Sequence, residues 1–301
     1  MSLPGIIAII GATMIWGVSG IYFTLIADVP ALEIVAHRTV WSLVFFLVIF
    51  AVQGRLGEFL AVWRDRRLLL RVFFGAAMVS ANWFFFVLAI QTGRATEASL
   101  GYFMLPLMTA ALAALVLKEV FTTAQKIAVG FAVIAVIVLT AGLGVVPWIS
   151  LLLGATFALY ALFKKRLELG PMLSVAVEVA MVGPILMAWV MWQNGGVGAF
   201  GVSSVHALWL IGFAFFTGFP LMLFSFGSRR LPLLTVGLVT YVNPTMQFLV
   251  AILYFREPIT WPHMVAFPLI WLGLALHTWD AFRQERSRKA AIRAGTSATL
   301  L

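Results

Sequence analysis

Long apolar stretches alternate with short polar connections along the whole chain. A helix needs roughly 20 mostly apolar residues to cross the hydrocarbon core of a membrane, and ten stretches meet this requirement. The pattern therefore predicts an all-α integral membrane protein with ten transmembrane helices. The predicted spans are residues 4–27, 31–53, 69–91, 96–117, 124–143, 148–165, 172–193, 206–227, 233–255 and 261–282.

The connections between these spans are short. The longest connection on the predicted inner side, residues 54–68, contains four arginines and Trp63, which predicts a segment at the membrane interface. No connection is long enough to form a soluble domain, so any function is expected within the bilayer. The first span begins at Pro4 with neither a basic segment before it nor a small-residue cleavage site after it. We therefore predict that it is retained and is not a signal peptide.

Composition supports a membrane protein and argues against other classes. The chain is 63% hydrophobic and 10% charged, with a mean hydropathy of +1.06, whereas a soluble protein of 301 residues needs more polar side chains to cover its surface. The net charge of +9 could indicate nucleic-acid binding. The basic residues, however, lie between apolar stretches, as in the loops of membrane proteins, so no nucleic-acid partner is predicted. The absence of cysteine excludes disulfides and thiolate metal sites.

The distribution of Lys and Arg predicts the orientation in the membrane. With the N-terminus inside, 17 of the 20 Lys and Arg residues fall in cytoplasmic connections or in the C-terminal tail. Arg94 and Arg256 fall on the outer side, and Arg38 lies within a span. Because positively charged loops stay on the cytoplasmic side, both termini are predicted to be cytoplasmic.

Two parts of the chain contain similar short motifs in the same order, which indicates an internal duplication. The matched segments are 11–13 with 154–156, 30–32 with 171–173, 102–106 with 241–244, and 118–119 with 256–257.

Each copy contains five spans, so the second copy must enter the membrane from the opposite side. We therefore predict a first five-helix repeat over residues 1–143, a second, inverted repeat over residues 147–282, and a basic cytoplasmic tail over residues 283–301. Inverted repeats are common in secondary transporters, whose substrate sites lie near the membrane midplane between the repeats. The alternative is a duplicated structural bundle that transports nothing.

The second span carries most of the polar residues found within spans. An ionisable group at the bilayer centre costs about 2.5–3.5 kcal/mol, so each one is a candidate for function. Glu33, His37 and Trp41 recur every fourth residue and share one helix face, and Arg38 and Ser42 form a second pair beside them. Glu33 and His37 either take part in gating and proton coupling or are simply solvated near the outer interface. Arg38 lies roughly 12 Å from the start of the span, too deep for such solvation.

Glu178 is the acidic residue of the seventh span. Together with Glu33 and His37 it is a candidate for gating or proton coupling. A direct ion pair between Arg38 and Glu178 is one alternative. The repeat instead places them at opposite depths, so we favour separate roles, with Arg38 facing the outer half of the site and Glu178 the inner half.

Pro106 and Pro244 lie near the middle of the fourth and ninth spans and are predicted to break their helices beside a cavity. An aromatic pocket with a few hydrogen-bonding groups suits a small, flat or amphipathic solute. The alternative is that most of the 26 Phe and 11 Trp residues face lipid or pack in the interior. The candidate substrate-binding residues are Tyr102, Tyr241, Asn243, Arg38, Asn82, Trp83, Trp16 and Tyr160.

Motifs of soluble enzymes are missing from the sequence. The chain has no G-x-x-x-x-G-K-[ST] phosphate-binding loop, so ATP hydrolysis is not predicted to drive its function. Its four histidines lack H-E-x-x-H spacing. No metal, cofactor or enzymatic activity is therefore predicted.

Three stretches carry a family resemblance: residues 33–42, residues 97–103 with Pro106, and residues 230–233 leading to Tyr241 and Pro244. Through them the chain resembles the RarD branch of the EamA-type drug/metabolite transporter superfamily over all ten spans. This resemblance implies ten helices in an inverted five-plus-five repeat, permease activity and a location in the bacterial inner membrane.

The resemblance leaves the substrate open. RarD-like proteins are usually labelled chloramphenicol-sensitive, which describes a drug phenotype, while relatives in the superfamily export amino acids and related metabolites. Met104 and Leu105 stand before Pro106 where we expect Ile-Asn in many relatives, so the substrate preference of the family is not transferred to this chain.

The sequence thus predicts a secondary transporter that moves a small organic solute, such as an amino acid, a metabolite or a drug-like compound, by alternating access. Its partners would be the solute and the lipid bilayer, with protons as a candidate coupling ion, and the protein would be a monomer or a homodimer. The alternatives are a non-transporting membrane scaffold or sensor and an intramembrane enzyme.

Overall fold

The computed structural model of the protein describes residues 2–117, 122–164, 167–231 and 233–298. Within these residues every regular element is helical, which confirms the all-α prediction. The α-helices are α1 (Leu3–Tyr22), α2 (Ala31–Val52), α3 (Leu56–Val62), α4 (Arg66–Gln91), α5 (Ala95–Leu117), α6 (Thr123–Leu143), α7 (Trp148–Lys164), α8 (Pro171–Asn194), α9 (Ser204–Ser228), α10 (Leu233–Thr240), α11 (Val242–Leu249) and α12 (Trp261–Ala298).

Local sequence signals explain where several of these helices begin and end. The side chains of Ser2 and Asp65 accept hydrogen bonds from the first free N–H groups of α1 and α4. Thr122 and Gln125 form a reciprocal capping box at the start of α6. Gly144 and Gly195 end α6 and α8 in the left-handed conformation that glycine adopts without steric cost.

Eight helical segments in the described part of the chain are long and apolar enough to cross a membrane. Six of them lie within single α-helices. The segment Leu3–Ile26 covers α1 and the 3-10 turn Phe23–Ile26, and the segment Thr235–Tyr254 covers most of α10, all of α11 and the π-helical turn Val250–Tyr254. A further apolar helix, Trp148–Lys164, is shorter. The molecule is therefore a multi-pass membrane protein.

The structure differs from the predicted spans in three places. The predicted span 233–255 is interrupted at Tyr241. The predicted interfacial segment 54–68 contains the short helix α3, and α12 continues beyond residue 282 through the basic tail to Ala298. Residues used above in the charge count, in the repeat or in the family resemblance, namely Lys118, Glu119, Lys165, Arg166 and Pro232, lie outside the described residues.

The described chain forms two compact units. The first comprises Met1–Leu105 and Trp148–Pro258, and in it α2 packs against α8 and α9, α4 against α7, and α1 against α9. Its interior contains buried aromatic side chains; Phe23, for example, lies with its ring centroid 5.0 Å from that of Phe213 and 5.9 Å from that of Phe86. The residues of the candidate site described below belong to this unit.

The second unit comprises Pro106–Pro147 and Ile259–Leu301 and is built on the pairing of α6 with α12. Close packing requires glycine here, because a Cβ atom on Gly142 would collide with the ring of Pro262. The boundary between the two units falls within α5, just before Pro106.

Candidate functional site

Arg38 lies buried in the first compact unit, where three membrane helices meet. It extends from α2, and its Nε donates a hydrogen bond of 3.0 Å to Oγ1 of Thr217 at the middle of α9. Its guanidinium carbon lies 4.2 Å from the centroid of the Trp83 ring on α4, a cation–π distance. The residue is 9% exposed, and no ion pair involves it within the described residues.

Asn82 organises the hydrogen bonds beside Arg38. Its side chain is fully buried; its Nδ2 donates to the Leu153 carbonyl at 2.9 Å and to Oγ1 of Thr156 at 3.1 Å, while its Oδ1 accepts from the Tyr102 hydroxyl at 2.7 Å. Both donors and the acceptor of this amide are thus engaged, as a buried polar group requires. Asn82 also directly precedes Trp83, the residue on which Arg38 stacks, along α4. We call the group the central polar cluster: Arg38, Asn82, Trp83, Tyr102 and Thr217.

A second polar group joins the start of α2 to the loop between α8 and α9. The Glu33 carboxylate accepts hydrogen bonds from the Asn194 side chain at 3.1 Å and from the backbone N–H of Ala199. Nε2 of His37 lies 3.2 Å from the Val197 carbonyl. We call these five residues the loop latch.

Glu33 and His37 are 4% and 2% exposed, so they are not the solvated interfacial pair of the alternative interpretation. The two side chains lie 4.0 Å apart, one helical turn from each other. The His37 ring stacks on Phe200, with centroids 5.3 Å apart, and Trp41 stacks on the same ring at 5.6 Å. Residues of the α8–α9 loop therefore cover the polar face of α2 that the helical spacing predicted.

Gly198 lets the loop approach Glu33. Its φ is +60°, and a Cβ atom there would overlap the Glu33 carboxylate. We expect Gly198→Ala to destabilise the protein by about 1–3 kcal/mol from backbone strain, with a further loss from displacing the latch. Gly195→Ala is the matched control, because Gly195 has φ +65° but nothing within 4 Å of its Cβ position. Thermal unfolding of the two variants in detergent measures the difference, and equal losses would show that the contact with Glu33 contributes nothing.

A third polar group surrounds Glu178 on α8. One carboxylate oxygen accepts from Nζ of Lys164 at 2.6 Å and from the Ser174 hydroxyl at 2.7 Å, and the other accepts from the Tyr160 hydroxyl at 3.0 Å. Nζ of Lys164 also donates to the Tyr160 oxygen at 2.7 Å. We call these four residues the carboxylate cluster. Glu178 is 1% exposed, so its charge is compensated inside the protein.

The known proteins most informative about this arrangement are membrane transporters. The model of the EamA-like transporter family matches residues 3–141 and again residues 146–279. The chain belongs to this family.

Relatives place the protein in the RarD branch of the EamA/drug-metabolite transporter superfamily, as its sequence motifs predicted. Protein RarD of Streptomyces exfoliatus is 37% identical over 96% of this chain and 93% of its own length. The uncharacterized transporter YojE of Bacillus subtilis is 34% identical over 95% of this chain and 97% of its own. The chloramphenicol-sensitive protein RarD of Pseudomonas aeruginosa is 27% identical over 96% and 98%.

A solved crystal structure supports the fold. It is 16% identical, covers 95% of this chain and 100% of its own, and superposes with a TM-score of 0.62. At this identity the likeness concerns the fold alone. The helices and the relatives together identify this EamA protein as a multi-pass bacterial membrane transporter, which implies a small-molecule solute and a lipid bilayer as its partners.

Of the predicted substrate-binding residues, the structure brings Arg38, Asn82, Trp83 and Tyr102 together. Tyr160 lies in the carboxylate cluster instead. Trp16 donates through its indole N–H to the Phe216 carbonyl at 3.1 Å, which links α1 to α9.

The predicted residues near Pro244 lie at a helix interruption. Tyr241 separates α10 from α11, and Oδ1 of Asn243 accepts from the Gln247 side chain one turn later at 3.1 Å. Pro244 falls in the first turn of α11, where the missing N–H leaves no intrahelical bond unmade. By contrast, α5 continues through Pro106, so the predicted break at that proline is not observed.

Residues of these groups that were not predicted include Asn194, Lys164 and Ser174, and Thr156, which binds Asn82, was missed as well. Thr156 belongs to the Gly-Ala-Thr motif used to detect the repeat, which is a signal that could have identified it. Ser174 precedes Glu178 by one helical turn, so helical spacing could have revealed it as well. Lys164 was counted as a cytoplasmic loop charge, and the sequence contains no sign of its pairing with Glu178.

Proposed function

We propose that this EamA protein is a secondary transporter that carries a small organic solute, such as an amino acid, a metabolite or a drug-like compound, across the bacterial inner membrane by alternating access. It would use no ATP and catalyse no reaction. The central polar cluster would bind the solute. The loop latch and the carboxylate cluster would close the two routes that lead to it.

The proposal includes two inverted five-helix repeats, residues 1–143 and 147–282, which together form ten transmembrane helices with both termini in the cytoplasm. It is supported by the repeated short motifs, by the two successive matches to the same family model, and by the strong bias of Lys and Arg toward one side. A five-helix unit must reverse its orientation when duplicated, and transporters use the resulting pseudo-symmetry to alternate between two states.

The observation that carries the proposal is the spacing of the polar groups along α8. Glu178 lies two turns into this helix of 24 residues and Asn194 is its last residue, about 24 Å further along at 1.5 Å per residue. This separation approaches the thickness of the hydrocarbon core, roughly 30 Å. The carboxylate cluster and the loop latch are therefore suited to guard opposite sides of a membrane, with Arg38 at an intermediate depth.

The repeat also relates the two groups chemically. The offset of 141 residues that aligns Pro30 with Pro171 pairs Glu33 with Ser174 and His37 with Glu178. Within each half, the two residues lie one helical turn apart and contact each other. Glu33 lies 4.0 Å from His37 in the first half, and Ser174 donates to Glu178 at 2.7 Å in the second. Equivalent positions in the two halves thus carry a hydrogen-bonded ionisable group, as expected of two gates that open alternately.

Exchange of a solute across liposomes tests this function. We expect the purified protein to catalyse saturable counterflow of at least one compound from a panel of amino acids, organic acids and drugs. Chloramphenicol belongs in the panel because it appears in the name of one relative. Asn82→Leu should reduce counterflow at least tenfold, about 1.4 kcal/mol, because it removes the acceptor of Tyr102 and the amide that links three helices.

Arg55→Gln provides the control, because Arg55 lies outside the spans and pairs with the exposed Glu58. It should leave counterflow unchanged. A complete lack of counterflow across the panel by folded protein would instead favour a membrane scaffold or sensor.

A further inference from the structure

We propose that Arg38 binds a carboxylate group of the solute, so that the substrates are small organic monoanions or amino acids with an apolar body. This inference rests on the proposed transport function and adds a substrate class to it. Arg38 would act as the anchor for the negatively charged end of the solute. The aromatic side chains around Trp83 and Tyr102 would contact the remainder.

The first argument is the uncompensated charge. A buried cation is strongly unfavourable unless an anion pairs with it. Lys164 obeys this rule through Glu178, and Arg94, near the end of a span, obeys it through Glu97 at 2.7 Å. Arg38 is more buried than either, yet in residues 2–117, 122–164, 167–231 and 233–298 no carboxylate forms an ion pair with it. A ligand that brings its own negative charge would supply this missing partner.

The second argument is the hydrogen-bonding geometry of the guanidinium group. Nε is occupied by Thr217, and one face of the group lies over Trp83. Neither terminal nitrogen, Nη1 or Nη2, has a hydrogen bond to any residue that the structure describes. These nitrogens carry N–H groups in a planar fork, which matches the two oxygens of a carboxylate. Thr217 and Trp83 hold the fork in place before a ligand binds, which reduces the entropic cost of binding.

The third argument selects a monoanion over phosphate or sulfate. No second lysine or arginine belongs to the central polar cluster, so a dianion would keep an unpaired charge in a buried site. The neighbours are aromatic: the Tyr102 ring lies 6.0 Å from that of Phe86 and 6.1 Å from that of Phe157, centroid to centroid. A single carboxylate attached to an apolar or aromatic body fits this combination of one cation and several rings.

Thermal unfolding of the full-length protein in detergent, with matched ligand pairs, tests the inference. The probes are benzoate with benzamide, phenylalanine with phenylalaninamide, lactate with lactamide, and inorganic phosphate. We expect at least one carboxylate to raise the unfolding temperature and its amide to leave it unchanged. Arg38→Gln should weaken the apparent affinity for that carboxylate about 10- to 100-fold, the loss expected for hydrogen bonds to a charged group.

Two further variants and the unfolding temperature of Arg38→Gln without ligand distinguish a binding role from a structural one. Arg38→Lys keeps the charge without the fork and should retain weaker binding, whereas Arg55→Gln should bind as the unaltered protein does. A purely structural Arg38 predicts that Arg38→Gln unfolds at a lower temperature without ligand. A binding role predicts an unchanged or higher temperature, because an uncompensated buried charge has been removed.

The inference is overturned if amides and carboxylates raise the unfolding temperature equally, or if inorganic phosphate raises it and no carboxylate does. It is also overturned if Arg38→Gln binds the carboxylate as tightly as the unaltered protein. Counterflow in liposomes separates it from the proposed function. Stabilisation by a carboxylate without any counterflow would support the site and contradict transport. Counterflow of a solute that lacks a carboxylate, at equal rates in the unaltered protein and in Arg38→Gln, would support transport and contradict this substrate class.

Discussion

Replacing Lys164 with methionine is expected to lower the free energy of unfolding by about 3 kcal/mol. The change removes the cation that lies 2.6 Å from the Glu178 carboxylate and leaves a charge that is 1% exposed without an ionic partner. Losses on breaking a buried pair run from about 3 to 5 kcal/mol. The lower end applies here, because Tyr160 and Ser174 still donate hydrogen bonds to the carboxylate.

The opposite single change is expected to be milder. In Glu178→Gln the unpaired group is Lys164, whose side chain is 24% exposed and can extend its ammonium group toward water. The double variant Lys164→Met with Glu178→Gln should recover most of the stability lost in Lys164→Met. Thermal or denaturant unfolding of all four proteins in one detergent forms a double-mutant cycle. Strictly additive losses would mean that the pair contributes no coupling energy.

Glu178→Gln is also expected to separate exchange of solute from its proton-driven accumulation. If Glu178 carries the coupled proton, it must release its contact with Lys164 and accept a proton during each cycle. Glutamine preserves the hydrogen-bonding shape of the side chain but cannot take up this proton. We therefore expect counterflow at equal solute concentrations to persist, while accumulation driven by a pH gradient falls at least tenfold, about 1.4 kcal/mol.

Proteoliposomes loaded at one pH and diluted into another measure both activities on the same preparation. Glu58→Gln is the control, because Glu58 lies outside the spans, is exposed, and pairs with Arg55 at 2.7 Å. An unchanged pH dependence of transport in Glu178→Gln would exclude Glu178 as the coupling residue. The corresponding change in the other half, His37→Gln, would then be the next one to measure.

Most of the helical architecture could be predicted from apolar stretches, because a membrane span must satisfy its backbone hydrogen bonds internally and bury about 20 residues in lipid. Proline positions were a weaker guide. α8, α9 and α12 each continue through an internal proline, as α5 does through Pro106. The helix is interrupted at Tyr241, where Pro244 falls in the turn that starts α11. Packing around the proline, which the sequence does not reveal, decides between these outcomes.

Contacts within one helix could be predicted, and contacts between helices could not. The spacing of Glu33, His37 and Trp41 indicated a shared face, and the structure places this face against the α8–α9 loop. The partner of Arg38, by contrast, is Thr217, 179 residues later in the chain. Such a pairing follows from the packing of α2 against α9, which no local pattern encodes.

By itself, the sequence determined that most of the chain lies in lipid, that it is helical, which family it belongs to and that Arg38 is buried, because each of these follows from composition, from local spacing or from motifs. The tertiary structure alone decided which polar groups neutralise one another. It pairs Glu178 with Lys164 and Glu33 with the α8–α9 loop. It places Arg38 beside a threonine hydroxyl and aromatic rings, with no acidic partner in the described part of the chain. The physical reason is that the energy of a buried charge depends on neighbours within a few ångströms, and helix packing selects those neighbours from distant parts of the chain.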